Sequence, residues 1–168
     1  MTMISTDHLA RVQARVGERL WLSDWVCIEQ SRIDGFADAT GDHYWLHTDP
    51  DRARRESPLG GTIAHGFLTM SMLAPSCLHA LLDVLGADEV LNYGVENLRF
   101  LAPVLCGARV RSSIVLRSAV AKPGERVLVG LDCSVEIEGQ QRPALVGQSL
   151  MLIHFPNQIG VTHAAQAA

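Results

Sequence analysis

The chain has 168 residues, of which 48% are hydrophobic and 19% are charged, and its formal net charge is -4. Such a chain is typical of one globular domain with a sizeable core, and we expect that domain over residues 1–155. A single lysine beside thirteen arginines, in a chain of negative net charge, argues against a general nucleic-acid-binding protein.

Four cysteines lie far apart, without a C-x-x-C pair, which predicts reduced thiols rather than disulfides. Cys77 has no activating neighbour in the sequence, so we expect it to be unreactive. The first twenty residues lack the basic region and apolar core of a secretory signal. We therefore expect a cytoplasmic protein.

The first half of the chain predicts short elements around a polar loop. Ser31 is a good helix N-cap, Gly41 suits the end of that helix, and Asp49-Pro50 suits the start of the next one. The predicted elements are a helix over residues 5–17, a strand over 21–28, and helices over 31–39 and 51–56.

The long apolar segment of residues 64–85 is long enough to cross a membrane at about 1.5 Å per residue. It contains His65, His79, Asp83 and several hydroxyl groups, which are costly in lipid, and it lacks flanking basic anchors. We therefore expect a buried central helix and no membrane association.

The second half changes to a period of two, which predicts strands with one wet face. In residues 108–120 the even positions are mostly apolar, and in residues 127–137 the odd positions are. Pro123-Gly124 suits the turn between these strands. Further strands are predicted over residues 90–101, with a possible break at Gly94, and over 145–155, which is apolar on both faces and suits a central strand.

These elements combine into an α+β fold in which a long antiparallel sheet wraps around the apolar helix. Neither an internal repeat nor a domain linker is visible in the sequence. The free edges of the sheet would allow a homodimer that continues it. The tail, residues 156–168, lacks a packing pattern, and we expect it to fray.

Asp42 and His47 lie five residues apart in the polar loop, shortly before a Gly-rich turn and the central helix. Here the chain resembles the MaoC-like dehydratase family, which includes (R)-specific enoyl-CoA hydratases, and in particular its nodulation protein N-like branch. The resemblance covers roughly residues 30–155. The matching residues are Gly41-Asp42, His47, Asp49, the Ala53-Arg54 region, Thr62-Ile63-Ala64-His65-Gly66, Asn92-Tyr93-Gly94, Arg99-Phe100 and Pro103-Val104.

The resemblance implies a hot-dog fold, usually dimeric, and reversible syn hydration of a trans-2-enoyl thioester, usually of coenzyme A. It implies Asp42 and His47 as the acid/base pair and Gly66 as the oxyanion-binding amide. Trp45 stands where the family commonly has proline, so it changes the wall of the site and leaves the acyl-chain preference open. Neither a metal nor another cofactor is implied.

Elementary chemistry agrees with these roles. Water addition needs a base for the water, an acid for C2 and donors for the charge that develops on the thioester oxygen. An imidazole, with an ordinary pKa near 6.5, accepts protons near neutrality. Asp42 would orient the water, or donate a proton if it were buried. The Gly66 amide would be among the free N–H groups at the start of the helix, where the dipole favours an anion.

Several alternatives remain open at this point. His43, His47 and Asp49 have spacings that suit a metal, but they lie in a predicted loop, so we favour no metal. His65 is expected to be mainly a structural hydrogen-bonding residue, with Trp45 and Thr62 among possible substrate contacts. Two arginine groups are candidates for coenzyme A phosphates: Arg52, Arg54 and Arg55 beside the loop, and Arg109, Arg111 and Arg117 on a strand, where pairing with Asp132 or Glu136 is the favoured interpretation.

The sequence thus predicts an (R)-specific enoyl-CoA hydratase that binds an acyl-CoA thioester. An acyl-CoA thioesterase on the same fold would instead activate water at the carbonyl carbon and release a free thiol. A non-catalytic acyl-CoA-binding protein would bind the ligand without turnover.

Overall fold

A computed structural model describes residues 6–155; the predicted tail and the first residue of the first predicted helix lie outside this range. The central helix is the whole stretch Gly66–Val84, and its last turn, Ala80–Val84, is π-helical. The helices are α1 Thr6–Gln13, α2 Gln30–Thr40, α3 Trp45–Thr48, α4 Pro50–Glu56, α5 Gly66–Ser71 and α6 Leu73–His79. The strands are β1 Arg19–Leu22, β2 Val26–Cys27, β3 Glu89–Phe100, β4 Arg109–Lys122, β5 Arg126–Ile137 and β6 Leu145–His154.

The strands form one antiparallel sheet in the order β1-β4-β5-β6-β3, with β2 also paired to β4. The predicted turn between β4 and β5 is present, and Gly124 has a φ of 77° there, which suits glycine. Strand β6 lies between β5 and β3, as its apolar character on both faces predicted.

The alternation predicted for β5 is confirmed, because its odd-numbered residues from Val127 to Ile137 are buried. In β4 the prediction holds only as far as Leu116. The pairing to β5 shifts between Leu116 and Ser118, so one residue is inserted and the faces exchange. As a result Ala119 is buried, whereas Val120, predicted to face inward, is 53% exposed.

Several local predictions are wrong. The strand predicted over residues 21–28 is two short strands, β1 and β2, each paired with β4. Helix α2 begins one residue before Ser31, with Glu29 as its N-cap. The chain does not break at Gly94; the pairing of β3 with β6 shifts between Asn92 and Gly94 and the strand continues.

The central helix packs in the main core. Its buried residues Leu68, Leu73, Cys77 and Leu81 belong to the same cluster as the sheet residues, including Leu131. Among residues 6–155 it is the one helix with the length and hydropathy of a membrane span, a test that the core helix of a soluble protein also meets. The sheet around a central helix predicted from the sequence is therefore confirmed, with the helix beginning at Gly66.

Candidate active site

Helix α2 delivers Asp42 to the site. The helix ends at Gly41, whose φ of 79° is the left-handed geometry that glycine adopts easily. Immediately afterwards the Asp42 Oδ1 atom accepts a hydrogen bond of 3.3 Å from the Tyr44 amide, a local turn that orients the carboxylate. The Asp42 side chain is 56% exposed, so solvent reaches it directly.

His47 lies in α3, a short helix within the segment predicted to be a loop. Its Nδ1 atom is 2.8 Å from the Ile63 carbonyl oxygen. Because a carbonyl only accepts, Nδ1 carries the proton in the neutral ring and Nε2 presents a lone pair. The His47 backbone carbonyl accepts a hydrogen bond of 2.7 Å from Gln30 Nε2, which fastens α3 to α2.

His65 immediately precedes the central helix and is only 2% exposed. Its Nε2 atom donates to the Asp42 backbone carbonyl at 2.9 Å and lies 4.0 Å from Asp42 Oδ2. Its ring stacks on the His47 ring, with centroids 3.8 Å apart. Among the described residues, its buried Nδ1 has no hydrogen-bond partner. His65 thus contacts both members of the predicted acid/base pair.

The geometry brings the predicted residues together. One side-chain oxygen or nitrogen from each of Asp42, His47 and His65 lies within 4.8 Å of the others. A separation of this size between two polar groups is one that a water molecule can bridge. Gly66, the first residue of the central helix, follows His65 directly, so an amide without an intrahelical partner lies beside the pair.

Residues 11–132 match the MaoC-like domain family. The chain is 42% identical to nodulation protein N of Rhizobium leguminosarum bv. viciae over 150 residues, covering 89% of this chain and 93% of that protein. It is 41% identical to 3-hydroxyacyl-thioester dehydratase Z of Mycobacterium tuberculosis over 149 residues, covering 89% and 97%. This chain belongs to the MaoC-like dehydratase family.

The hot-dog fold of this MaoC-like protein is also shown by solved structures. An (R)-hydratase from Pseudomonas aeruginosa superposes with a TM-score of 0.70 at 20% identity, over 92% of this chain and 90% of that one. An (R)-hydratase from A. caviae gives a TM-score of 0.65 at 21% identity, over 83% and 97%. The resemblance stated from the sequence motifs is therefore confirmed.

Gly66 of the MaoC-like chain lies where a side chain would be crowded. A Cβ atom built there would lie 3.1 Å from the Phe100 ring, tighter than an ordinary van der Waals contact. The glycine therefore lets the Phe100 ring, at the end of β3, lie against the start of the central helix.

The metal site considered from the sequence does not form. His43 turns away to within 3.7 Å of Asp38, and the Asp49 side chain caps α4 by accepting from the Arg52 amide. Asp42, His47 and His65 are close enough for a metal, but the His65 Nε2 proton is committed to a carbonyl. That bond occupies Nε2 and leaves Nδ1 without a partner among the described residues, and the absence of a metal stays a prediction.

The two other predicted substrate contacts differ in position. Thr62 is 3% exposed, and its hydroxyl donates to Gln30 Oε1 at 2.6 Å; its role in substrate binding stays a prediction. It supports His47, because the Gln30 amide nitrogen holds the His47 carbonyl. Trp45 is half-buried under the Arg52 guanidinium, 4.5 Å above its ring, and its role in substrate binding stays a prediction.

The arginines of β4 are paired, as the favoured interpretation expected. Each binds an acidic residue of β5 or of the turn after it: Arg109 with Glu138 at 2.9 Å, Arg111 with Glu136 at 2.8 Å and Arg117 with Asp132 at 3.3 Å. Beside the loop, Arg52 pairs with Glu56 and Arg54 with Asp51. Arg55 makes no ion pair with another described residue.

Two cavities adjoin Gly66, and neither is lined by Asp42 or His47. One, of about 360 Å³, includes Gly66 itself together with Ile63 and Phe100. The other, of about 390 Å³, begins at Phe67 and follows one face of the central helix. This second cavity is mostly apolar; its walls include Met70, Ala74 and Cys77 of the helix, Tyr93 and Leu98 of β3, Cys133 of β5 and Met151 of β6.

Two supporting groups were missed from the sequence. Gln30 joins α2 to His47 and Thr62, although it lies 17 and 32 residues from them in the chain. The Ile63 carbonyl sets the His47 tautomer and is a backbone atom that any residue would supply. The family resemblance over residues 62–66 indicated the segment that leads into the central helix. No sequence signal indicated Gln30.

Proposed function

We propose that this protein is an (R)-specific enoyl-thioester hydratase, which adds water reversibly to a trans-2-enoyl thioester of coenzyme A. The observation that carries the proposal is that Asp42, His47 and His65 each place a polar side-chain atom within 4.8 Å of the others, next to Gly66 at the start of the central helix. Membership of the MaoC-like family supports the reaction class. The relative named 3-hydroxyacyl-thioester dehydratase Z supports an acyl thioester as substrate.

In the hydration direction, a water molecule lies between the two side chains. The Asp42 carboxylate, open to solvent, accepts one hydrogen bond from it, and the His47 Nε2 lone pair takes its proton. The hydroxide oxygen bonds to C3, and the imidazolium returns a proton to C2 on the same face. Both additions occur on one face, so the outcome is syn. Proton transfer by placed groups contributes roughly 10²–10⁴-fold to such reactions.

The thioester oxygen gains negative charge when C3 is attacked. In the proposed complex it accepts a hydrogen bond from the Gly66 amide, at the positive end of the central helix. One such donor is worth about 3–4 kcal/mol in comparable sites. Gly66 lines the cavity of about 360 Å³, through which the oxygen would reach this amide.

The acyl chain extends from Gly66 past Phe67 into the 390 Å³ cavity along the central helix. The apolar walls there suit a hydrocarbon chain, because its burial is worth about 0.8 kcal/mol per methylene group. We propose that straight acyl chains enter between the helix and β3, with Cys77 and Met151 towards the far end.

We further propose a homodimer through β3. This strand is an edge of the sheet and exposes large apolar side chains, an arrangement that favours pairing with another strand. The exposed residues of this face include Leu91, Tyr93, Val95 and Phe100, together with the neighbouring Phe67. Sedimentation should give a dimer for the wild type and a monomer for Tyr93→Lys/Val95→Lys. Val120→Lys, on the exposed end of β4, is the control and should remain dimeric.

The catalytic proposal is tested with crotonyl-CoA and longer enoyl-CoA substrates, by following the loss of enoyl absorbance together with free thiol. Asp42→Asn and His47→Gln should each lower kcat/KM by at least about 10² while the protein stays folded. His43→Gln, beside the pair but turned away from it, should keep the wild-type rate.

Near-native rates for both variants would refute the assigned roles. Thiol release without loss of the enoyl group would identify a thioesterase instead. Tight binding of enoyl-CoA without any turnover in the wild type would identify a binding protein.

A further inference from the structure

Tyr44 is an exposed aromatic side chain beside the acid/base pair, and the proposed mechanism does not use it. It is 52% exposed, although it is a large and mostly apolar residue. Its ring stands edge-on to the His47 imidazole, with centroids 6.0 Å apart and planes inclined by 67°. Its amide donates to the Asp42 carboxylate at 3.3 Å. Tyr44 therefore contacts both members of the pair and still presents much of its surface to solvent.

The backbone and a neighbouring ring hold Tyr44 in place. It is the N-cap of α3, and its carbonyl accepts from the His47 and Thr48 amides at 2.9 and 3.3 Å. Its ring packs against the Trp45 ring, with centroids 5.6 Å apart, and the Arg52 guanidinium covers Trp45 in turn. Because the Tyr44 ring is already positioned by these contacts, binding a ligand against it costs little conformational entropy.

The position of Tyr44 matters for the part of the substrate that lies outside the two cavities. The argument for this part rests on the proposed function, in which the acyl chain enters the cavity of about 390 Å³ and the thioester oxygen enters the one of about 360 Å³. Neither cavity is lined by Tyr44 or Trp45. The sulfur and the thiol arm then leave towards the open side of the site, where Asp42 and Tyr44 are exposed.

The thiol arm of such substrates has the chemistry that a tyrosine side chain binds. Coenzyme A and acyl carrier proteins both attach the acyl group through a cysteamine unit, an apolar ethylene group followed by an amide. The ethylene group can pack on the apolar ring, and the phenol hydroxyl, which both donates and accepts, can bond to the amide. Trp45 suits this role less well, because the Arg52 guanidinium already lies over its ring.

We propose that Tyr44 binds the cysteamine unit of the thiol arm and makes the enzyme selective for thioesters that carry this unit. The unit takes no part in the addition of water, so the contact is the same before and during the reaction. A contact of this kind lowers KM and leaves kcat unchanged.

The test compares Tyr44→Ala and Tyr44→Phe with the wild type on crotonyl thioesters that differ only in the thiol. The thiols are coenzyme A, N-acetylcysteamine and methanethiol, which lacks both the ethylene group and the amide. With the first two, Tyr44→Ala should raise KM about 10-fold and keep kcat within about 2-fold, and Tyr44→Phe should recover most of the KM. With the methyl thioester, both variants should match the wild type. Val16→Ala, which shortens another exposed apolar side chain, is the control and should change neither constant.

A series of acyl chains separates the two ends of the substrate. With crotonyl-, trans-2-hexenoyl- and trans-2-octenoyl-CoA, the ratio of the Tyr44→Ala KM to the wild-type KM should stay constant. A ratio that changes with acyl length would place Tyr44 at the acyl end and overturn the proposal. An equal loss with the methyl thioester, or a loss of kcat alone, would show that Tyr44 acts through His47 and would also overturn it.

Two carriers supply the same cysteamine unit, and a further comparison distinguishes them. The higher wild-type kcat/KM, for crotonyl-CoA or for a crotonyl group on a holo acyl carrier protein, identifies the preferred carrier. The Tyr44→Ala loss is expected with both, and a loss with only one would contradict a contact with the shared unit.

The site and the proposed function can fail separately. Hydration by the wild type together with an unchanged KM for Tyr44→Ala would refute this site and leave the function standing. If the wild type hydrates none of these thioesters, the function is refuted, and titration calorimetry with crotonyl-CoA decides on the site. Binding weakened about 10-fold by Tyr44→Ala but retained by Tyr44→Phe would uphold it, and equal affinities for all three proteins would refute it.

Discussion

The His47 and His65 rings stack with their centroids 3.8 Å apart and their planes inclined by 27°. His65 also donates to the Asp42 backbone carbonyl. One buried side chain therefore fixes the positions of both groups that, in the proposed mechanism, handle the water. We therefore predict that His65 is a positioning residue rather than a substrate contact.

Replacing His65 tests this role. His65→Leu leaves the Asp42 carbonyl without its partner and should lower the free energy of unfolding by about 1–3 kcal/mol, together with kcat. His65→Gln keeps a donor and should recover part of kcat. His43→Leu, at an exposed neighbouring position, is the matched control and should change neither quantity in denaturant titration and rate assays. A His65→Leu enzyme with the wild-type kcat would contradict positioning.

Gly66→Ala should affect turnover more than stability. The added Cβ would lie 3.1 Å from the Phe100 ring, the exposed end of a side chain that can shift, so we expect the melting temperature to change little. The methyl group would still crowd the proposed oxyanion position and lower kcat by up to about 10²–10³-fold. Gly61→Ala meets no atom within 4 Å and serves as the control. Equal rates for the two variants would remove Gly66 from the mechanism.

Gln30→Leu should uncouple α3 from α2. The change leaves the His47 carbonyl and the Thr62 hydroxyl without their partner, at an expected cost of about 1–3 kcal/mol in stability. Because α3 carries His47, kcat should fall as well, with a smaller effect on KM. The exposed residue Gln140 offers a control substitution to leucine. An unfolding free energy and a kcat equal to those of the Gln140→Leu control would contradict this role of Gln30.

The arginines of β4 should not bind coenzyme A phosphates. Arg111→Gln breaks a half-exposed pair with Glu136, so we expect a loss of at most about 1 kcal/mol in stability and an unchanged KM for enoyl-CoA. Arg55→Gln, which removes a charge that no described acid neutralises, should raise KM. The two KM values decide whether the arginines of β4 or those beside the loop bind the phosphates. A raised KM for Arg111→Gln alone would assign that role to β4.

The periodic segments of this chain were predicted well because one effect, the burial of apolar side chains, dominates them. The odd positions of β5 are buried as expected, and the central helix was evident from its uninterrupted apolar character. The faces of β4 were misassigned after Leu116, because an inserted residue depends on the partner strand and leaves no trace in a pattern of two.

The candidate site was predicted as far as its motifs extend. Asp42, His47 and Gly66 were proposed from their order in the chain, and the fold brings them together. The role of Gln30 could not be predicted, since it depends on partners distant in sequence. The hydrogen bond from the Thr62 hydroxyl to Gln30 could not be predicted for the same reason.

In the sequence, the central helix comes before most of the strands that cover it. Strands β3 to β6 all follow Gly66–Val84, so a growing polypeptide presents this apolar stretch to its surroundings before the covering strands have been made. During synthesis its apolar side chains stay exposed until those strands have been made. A truncation before β6 would remove part of their cover and should yield a product that aggregates.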